Sequence, residues 1–168
     1  GLALVYSDLG DTPKAAELLK TLADKNPSAR SLGALAAAYE QMHDFKAAAG
    51  VLGKLLEANP PNEREVKRNM AQDLLLAQDY AAALAIYNHM VADDPADAQS
   101  YLRISQIYRQ QKDFNNAREA NNKAKALEPT SVEIRYNEVN ILEAEDRTAD
   151  ATKMLKDILA TTAKRNYN

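Results

Sequence analysis

The chain has 168 residues, 46% of them hydrophobic, with a formal net charge of −3 and no cysteine. The absence of cysteine excludes disulfides, thiolate catalysis and zinc–thiolate sites, and it fits a cytoplasmic and a periplasmic location equally. The negative net charge argues against a dedicated nucleic-acid binder, which needs a basic surface. Apolar runs stay short of the about 18 residues that cross a bilayer, so we expect no membrane span or targeting segment in this sequence.

Apolar residues recur at three- and four-residue steps in ten segments, and short polar turns separate the segments. This spacing is typical of amphipathic helices packed on one face. The segments alternate with turns short enough to make neighbours antiparallel. The predicted helices span approximately residues 2–9, 13–25, 29–42, 45–58, 63–77, 80–93, 97–111, 114–127, 131–145 and 148–164.

The helices carry residue columns that repeat about every 34 residues. Four prolines are separated by 33, 35 and 34 residues, an alanine lies twelve residues before each of them, and a mostly aromatic column follows each turn. A small side chain where two helices cross lets their backbones approach closely. Self-similarity at this period predicts stacked helix pairs. The columns are Pro27, Pro60, Pro95 and Pro129; Ala15, Ala48, Ala83, Ala117 and Ala151; Tyr6, Tyr39, Leu74 and Tyr108; and Thr12, Phe45, Tyr80 and Phe114.

Aspartates form a further column between the two helices of each pair. A short acceptor at this place caps the free N–H groups of the second helix. Between pairs, Asn62 with Glu65 and Thr130 with Glu133 have the spacing of a capping box. The predicted aspartate caps are Asp11, Asp44, Asp79 and Asp113.

This order of residues resembles the tetratricopeptide repeat. The resemblance implies an all-α fold, a right-handed α-solenoid of stacked antiparallel helix pairs. It covers one array of about four and a half repeats, approximately residues 1–28 (partial), 29–61, 62–97, 98–131 and 132–168, which indicates a segment of a longer protein. The family often has glycine before the turn, and here only Gly10 supplies it. In the other repeats a non-glycine residue occupies this position and is expected to adopt the turn at modest cost. These residues are His43, Gln78, Lys112 and Asp146.

The sequence contains no clear catalytic motif. The two histidines, His43 and His89, lie more than one repeat apart, and no metal-ligand spacing or Gly-rich phosphate loop is present. No serine has a plausible base partner. We therefore predict that the chain is not an enzyme and needs no cofactor or metal.

The resemblance implies that the first helix of each pair lines a concave groove. Arginine can hold a carboxylate with two hydrogen bonds, and Asn and Gln offer both a donor and an acceptor to a peptide backbone. The polar groove candidates are Arg30, Arg68, Asn69, Gln72, Gln99, Arg103, Gln106, Arg109, Gln110, Asn137 and Asn140. The small or apolar groove positions are Gly33, Ala34, Ala37, Leu76 and Tyr136.

Asn69 and Asn137 share one column, with Arg103 between them, and this resembles the asparagine ladder by which some arrays of the family hold extended peptides. The carboxylate clamp of the family is incomplete, because only Arg68 and Arg103 match it. We predict a protein–protein interaction module that binds a peptide segment of a partner in its groove. Two alternatives stay open: a scaffold that self-associates through its end repeats, and a regulatory extension of an enzyme.

Overall fold

A computed structural model describes the backbone of residues 12–166. This part of the chain forms nine α-helices and no strand, and each helix end lies within two residues of its predicted position. The predicted helix 2–9 lies outside the described residues. No helix in residues 12–166 is long and apolar enough to cross a membrane. The helices are α1 (Thr12–Lys25), α2 (Ala29–Gln41), α3 (Phe45–Glu57), α4 (Glu63–Leu76), α5 (Tyr80–Asp93), α6 (Ala98–Gln110), α7 (Phe114–Leu127), α8 (Val132–Ala144) and α9 (Thr148–Asn166).

The chain divides into two compact units, residues 1–86 (unit 1) and residues 87–168 (unit 2). In unit 1, α2 packs against α1 and α3, and α3 packs against α4. In unit 2, α7 packs against α6 and α8, and α8 packs against α9. Sequential helices therefore stack on one another within each unit. The all-α class and the solenoid of antiparallel helix pairs are confirmed, whereas a single array over residues 1–168 stays a prediction.

The alanine column is buried throughout. All five of its members are at most 1% exposed, as expected where a small side chain lets two helices pack closely. Unit 1 builds a core from α1, α2, α3 and α4. The buried residues of this core are Ala23, Leu32, Leu35, Ala36, Val51, Leu52, Leu55 and Val66.

The four turns that lack glycine use the left-handed backbone conformation. In the first of them, the N–H of His43 donates to the carbonyl of Glu40 (3.0 Å) and the N–H of Asp44 donates to that of Tyr39 (2.9 Å), which is the Schellman pattern. The other three turns repeat this pair of bonds. The expectation that non-glycine residues take up this turn is confirmed by the φ angles of His43 (59°), Gln78 (63°), Lys112 (62°) and Asp146 (61°).

An aspartate follows three of these four turns and caps the helix that comes next. Asp44, Asp79 and Asp113 each accept a hydrogen bond from the backbone N–H three residues on, at 3.2–3.3 Å, as predicted. Asp11 lies outside the described residues.

The two predicted capping boxes are wrong. Asn62 precedes α4 but makes no side-chain cap bond, because its carboxamide donates to the Glu65 carboxylate at 3.5 Å instead. At α8 the cap is Ser131 rather than Thr130, since the Ser131 hydroxyl accepts from the Ile134 N–H.

Candidate functional site

Unit 1 contains a cleft of about 440 Å³ between α2 and α4, with α3 behind it. Its apolar lining comes from the core side of the three helices, and its polar lining comes from α2, from α4 and from the residue that precedes α4. We name it the unit 1 cleft. It is lined by Ala29, Arg30, Gly33, Ala36, Ala37, Glu40, Leu52, Leu55, Asn62, Val66 and Asn69.

Two polar groove candidates meet in this cleft. Arg30 lies in the first turn of α2 and Asn69 lies in the middle of α4, and the two line the same cleft although they are 39 positions apart. Gly33 and Ala37, which were predicted at small groove positions, also line it. Gly33 leaves open space, because a Cβ added there meets no atom within 4 Å. Four further candidates of unit 1 are exposed and are not part of the lining: Ala34, Arg68, Gln72 and Leu76.

Glu40, which lines the unit 1 cleft, lies beside a second carboxyl group, that of Asp73, which is not part of the lining. Asp73 follows Asn69 by four residues, so both side chains project from the same face of α4. It is only 4% exposed. A hydrogen bond joins its carboxyl group to that of Glu40, which lines the cleft from the last turn of α2. The Oδ2 atom of Asp73 has no hydrogen-bond partner in the described part of the chain.

This environment changes the ionisation of Asp73. Burial, first of all, and then the hydrogen bond and the negative charge of Glu40 together raise its pKa from the ordinary value of 3.8 to about 8. Asp73 is therefore mostly protonated at pH 7. Sequence analysis missed this pair because an aspartate on a helix is most often a solvated one.

In unit 2 the polar candidates on α6 are partly engaged with one another. The guanidinium of Arg103 donates to the Gln106 carboxamide at 2.9 Å and lies 3.6 Å from the carboxylate of Glu133 on α8. Arg109 is half-buried, and burial lowers the pKa of its guanidinium. The remaining candidates, Gln99, Gln110 and Asn140, are exposed. Unit 2 therefore presents an amide- and arginine-bearing surface on α6 and α8.

The prediction that Asn137 belongs to an accessible groove is wrong. Its side chain is 2% exposed and turns into the interior of unit 2. There its amide donates to the Ser105 hydroxyl at 2.8 Å and to the Asn121 carboxamide oxygen at 3.0 Å. The Ser105 hydroxyl in turn donates to the carbonyl of Ala117 at 2.7 Å. Asn137 thus joins α8 to α6 and α7, and no asparagine ladder links it to Asn69.

Sequence analysis also missed the partner of Asn137. Asn121 is 1% exposed, and it occupies a repeat column that holds Leu19, Leu52 and Tyr87 upstream. A polar residue in an apolar column is the signal that indicates a buried network. The network is incomplete, since Asn121 Nδ2 and Asn137 Oδ1 have no partner among the described residues.

A second cleft, of about 380 Å³, lies between α7, α8 and α9 and contains none of the predicted groove residues. Ion pairs occupy its margin: Arg118 binds the Glu145 carboxylate, and Arg147 binds Asp150 at 2.9 Å. Three of its charged lining residues, Arg118, Arg147 and Asp150, are thus held in ion pairs. No cluster of three His, Cys, Asp or Glu residues suited to a metal ion occurs in the described part of the chain.

Comparisons with known proteins agree with the fold of stacked helix pairs. A family profile described as tetratricopeptide repeat matches residues 1–63 and 68–132. Among curated proteins, human Protein O-mannosyl-transferase TMTC1 is 26% identical over 133 residues, which cover 79% of this chain and 15% of the human protein. The chain therefore spans a small part of the length of that relative.

Solved structures give the same fold. MamA from Desulfovibrio magneticus aligns with a TM-score of 0.76 at 21% identity, covering 97% of this chain and 92% of the other. A tetratricopeptide repeat protein from Parabacteroides merdae aligns with a TM-score of 0.78 at 17% identity, covering 96% and 64%. At these identities the likeness concerns the fold alone.

Proposed function

This chain belongs to the tetratricopeptide repeat family, and from this premise we propose that the unit 1 cleft binds an extended peptide segment of a partner protein. Repeats of this family form protein-interaction and scaffold modules rather than catalytic domains. The observation that carries the proposal is that Arg30 and Asn69, predicted as groove residues from separate repeats, line one cleft with an apolar floor.

The lining suits the chemistry of an extended chain. Leu52, Leu55 and Val66 offer apolar surface to alternate side chains of a bound strand. The Asn69 carboxamide supplies a donor and an acceptor to the peptide backbone, and the Arg30 guanidinium binds a carboxylate or a carbonyl oxygen. Gly33 keeps the middle of the cleft open. Exposed Arg68 and Gln72 flank the cleft as further contacts.

Unit 2 offers a second set of contacts for a partner. Arg103 is already held by Gln106 and Glu133, so its side chain loses little conformational freedom on binding. Exposed amides flank this pair on α6 and α8. The unit 2 residues that we propose for this role are Gln99, Arg103, Gln106, Arg109, Gln110 and Asn140.

Filling the unit 1 cleft provides the test. We would select heptapeptides on the purified chain from a random phage-display library and measure their affinities by titration calorimetry. Gly33→Leu places a side chain in the open part of the cleft, so the affinity is expected to fall at least tenfold. The paired variant Arg30→Ala with Asn69→Ala is expected to have a similar effect.

Gly50→Leu is the matched control. Gly50 is also a mid-helix glycine with no atom within 4 Å of an added Cβ, but it is exposed on α3 and does not line the cleft. Replacing a mid-helix glycine with leucine raises helix stability by about 1 kcal/mol, so we expect both variants to fold. Unchanged affinity for every selected peptide in Gly33→Leu and in the Arg30/Asn69 variant would refute the proposal.

Self-association through the end repeats and a regulatory role beside an enzyme stay predictions. Both are separable from peptide binding, because neither needs the unit 1 cleft.

A further inference from the structure

The unit 1 cleft carries opposite charges at its two ends. Arg30 lies in the first turn of α2 and Glu40 in the last, ten residues further on. At a rise of about 1.5 Å per residue their backbones are about 15 Å apart, which an extended peptide spans with four or five residues. The charges therefore distinguish the two ends of a bound segment.

Asp73 makes the acidic end unusual. Its side chain is 4% exposed, and one of its oxygens has no hydrogen-bond partner among the described residues. Its carboxyl group lies beside that of Glu40, which lines the cleft, and it follows Asn69, another lining residue, by one helical turn on the same face of α4. A buried acceptor without a donor is costly, and a fold retains one more readily where a ligand supplies the donor.

We propose that the unit 1 cleft selects peptide segments carrying a lysine or arginine side chain, and that the cationic group of this side chain enters between Glu40 and Asp73. The inference rests on the proposed function and names the chemistry of the partner. A guanidinium has five N–H donors, enough to bond Glu40 and the unpartnered oxygen of Asp73 together. Leu52 and Leu55 cover the aliphatic part of the entering side chain.

Cation binding is coupled to a proton. Asp73 holds a proton at pH 7 because its pKa is raised to about 8. Glu40 faces it from α2, Arg30 lies at the far end of the cleft on that helix, and the lining from α3 is the apolar pair Leu52 and Leu55. An entering cation stabilises the ionised Asp73, so the proton leaves to the solvent. Affinity then rises with pH by up to about tenfold per pH unit below pH 8.

Two pentapeptides test the proposal. The probes are acetyl-Ala-Ala-Arg-Ala-Ala-amide and the same peptide with neutral citrulline in place of arginine. Backbone amide shifts of α2 and α4 are followed by NMR during titration at pH 6, 7 and 8. We expect the arginine peptide to shift the amides near Glu40 and Asp73, to bind at least tenfold tighter than the citrulline peptide, and to bind tighter at pH 8 than at pH 6.

Substitutions separate the acid pair from the rest of the cleft. Asp73→Asn replaces a neutral acid with a neutral amide of the same shape, and Glu40→Gln removes the other charge. Each is expected to reduce the preference for arginine over citrulline to less than threefold. Glu57→Gln removes the same charge from an exposed position on α3 outside the cleft, and it should leave that preference unchanged.

The outcomes distinguish this inference from the proposed function. Equal binding of both pentapeptides in the cleft would overturn the selection for a basic side chain while the peptide site stands. Unchanged arginine preference in both Asp73→Asn and Glu40→Gln would also overturn it. Loss of phage-selected heptapeptide binding in Gly33→Leu tests the cleft itself, and that result does not depend on the charge of the peptide.

Discussion

The two units bury polar side chains in different ways. Unit 1 buries Asp73 beside the carboxyl group of Glu40, and one Asp73 oxygen has no hydrogen-bond partner within residues 12–166. Unit 2 buries Asn137 in a neutral network with Ser105 and Asn121, between three packed helices. The first arrangement is ionisable and includes Glu40, a lining residue of the unit 1 cleft, whereas the second is neutral.

The difference separates a structural role from a binding role. The neutral network joins α6, α7 and α8 by hydrogen bonds, and such bonds stabilise a fold when both partners are buried. The acid pair opposes folding once Asp73 ionises, because burial disfavours its charged form. Groups that oppose folding concentrate at functional sites. We therefore place the structural centre of unit 2 at Asn137, and we propose Asp73 with Glu40 as part of the binding site of unit 1.

Removing the enclosed amide should have the largest effect on stability. Asn137→Ala leaves a cavity and deprives the Asn121 oxygen of its donor, so we expect the free energy of unfolding to fall by about 2–3 kcal/mol. Urea denaturation followed by circular dichroism measures this change. Asn140→Ala, an exposed position on the same helix, should change it by less than about 0.5 kcal/mol. Equal, small effects of the two substitutions would contradict the structural role of the network.

Replacing Asp73 should raise the free energy of unfolding, and the size of this effect should depend on pH. Between pH 3.8 and about 8 the folded chain holds the Asp73 proton that the unfolded chain releases, so this group lowers the stability of the fold as pH rises through that window. Asp73→Asn is expected to raise the free energy of unfolding by about 1–3 kcal/mol at pH 8 and to change it little at pH 4. Urea denaturation at both pH values measures the difference. If the free energy of unfolding of variant and parent changed equally with pH, the raised pKa of Asp73 would be contradicted.

The turns should respond alike in both units. His43 in unit 1 and Lys112 in unit 2 occupy the same left-handed turn position, with φ angles of 59° and 62°. Glycine adopts this conformation without steric cost, so His43→Gly and Lys112→Gly should each stabilise the chain by about 0.5–1 kcal/mol. Thermal denaturation measures both. A destabilised variant in either unit would show that the replaced side chain makes a contact worth more than the strain.

Much of the fold followed from the sequence because its causes are local and repeated. The alanine column predicted five buried positions, and the aspartate column predicted three helix caps. The spacing of apolar residues predicted the ends of the nine helices in residues 12–166 to within two residues of their observed positions. The capping boxes failed because Asn62 and Glu65 bond to each other, and competition of this kind is not visible in residue spacing.

The candidate site was only partly predictable. Repeat position placed Arg30 and Asn69 in one cleft, but it also placed Asn137 on an accessible surface. The position of a residue in a repeat fixes the direction of its Cα–Cβ bond. The orientation of an asparagine side chain also depends on the hydrogen-bond partners on neighbouring helices. The buried donor–acceptor set around Asn137, like the carboxyl pair of Glu40 and Asp73, arises from contacts between helices that no single column contains.

The ionisation of Asp73 tests the central claim most directly. Titration of its side-chain carboxyl carbon by NMR, in the intact chain and in Glu40→Gln, measures the pKa of this group without any ligand. The account predicts a pKa of about 8 in the parent and a lower value in Glu40→Gln, because both the hydrogen bond and the charge of Glu40 hold the proton on Asp73. An ordinary pKa near 4, unchanged by Glu40→Gln, would contradict it.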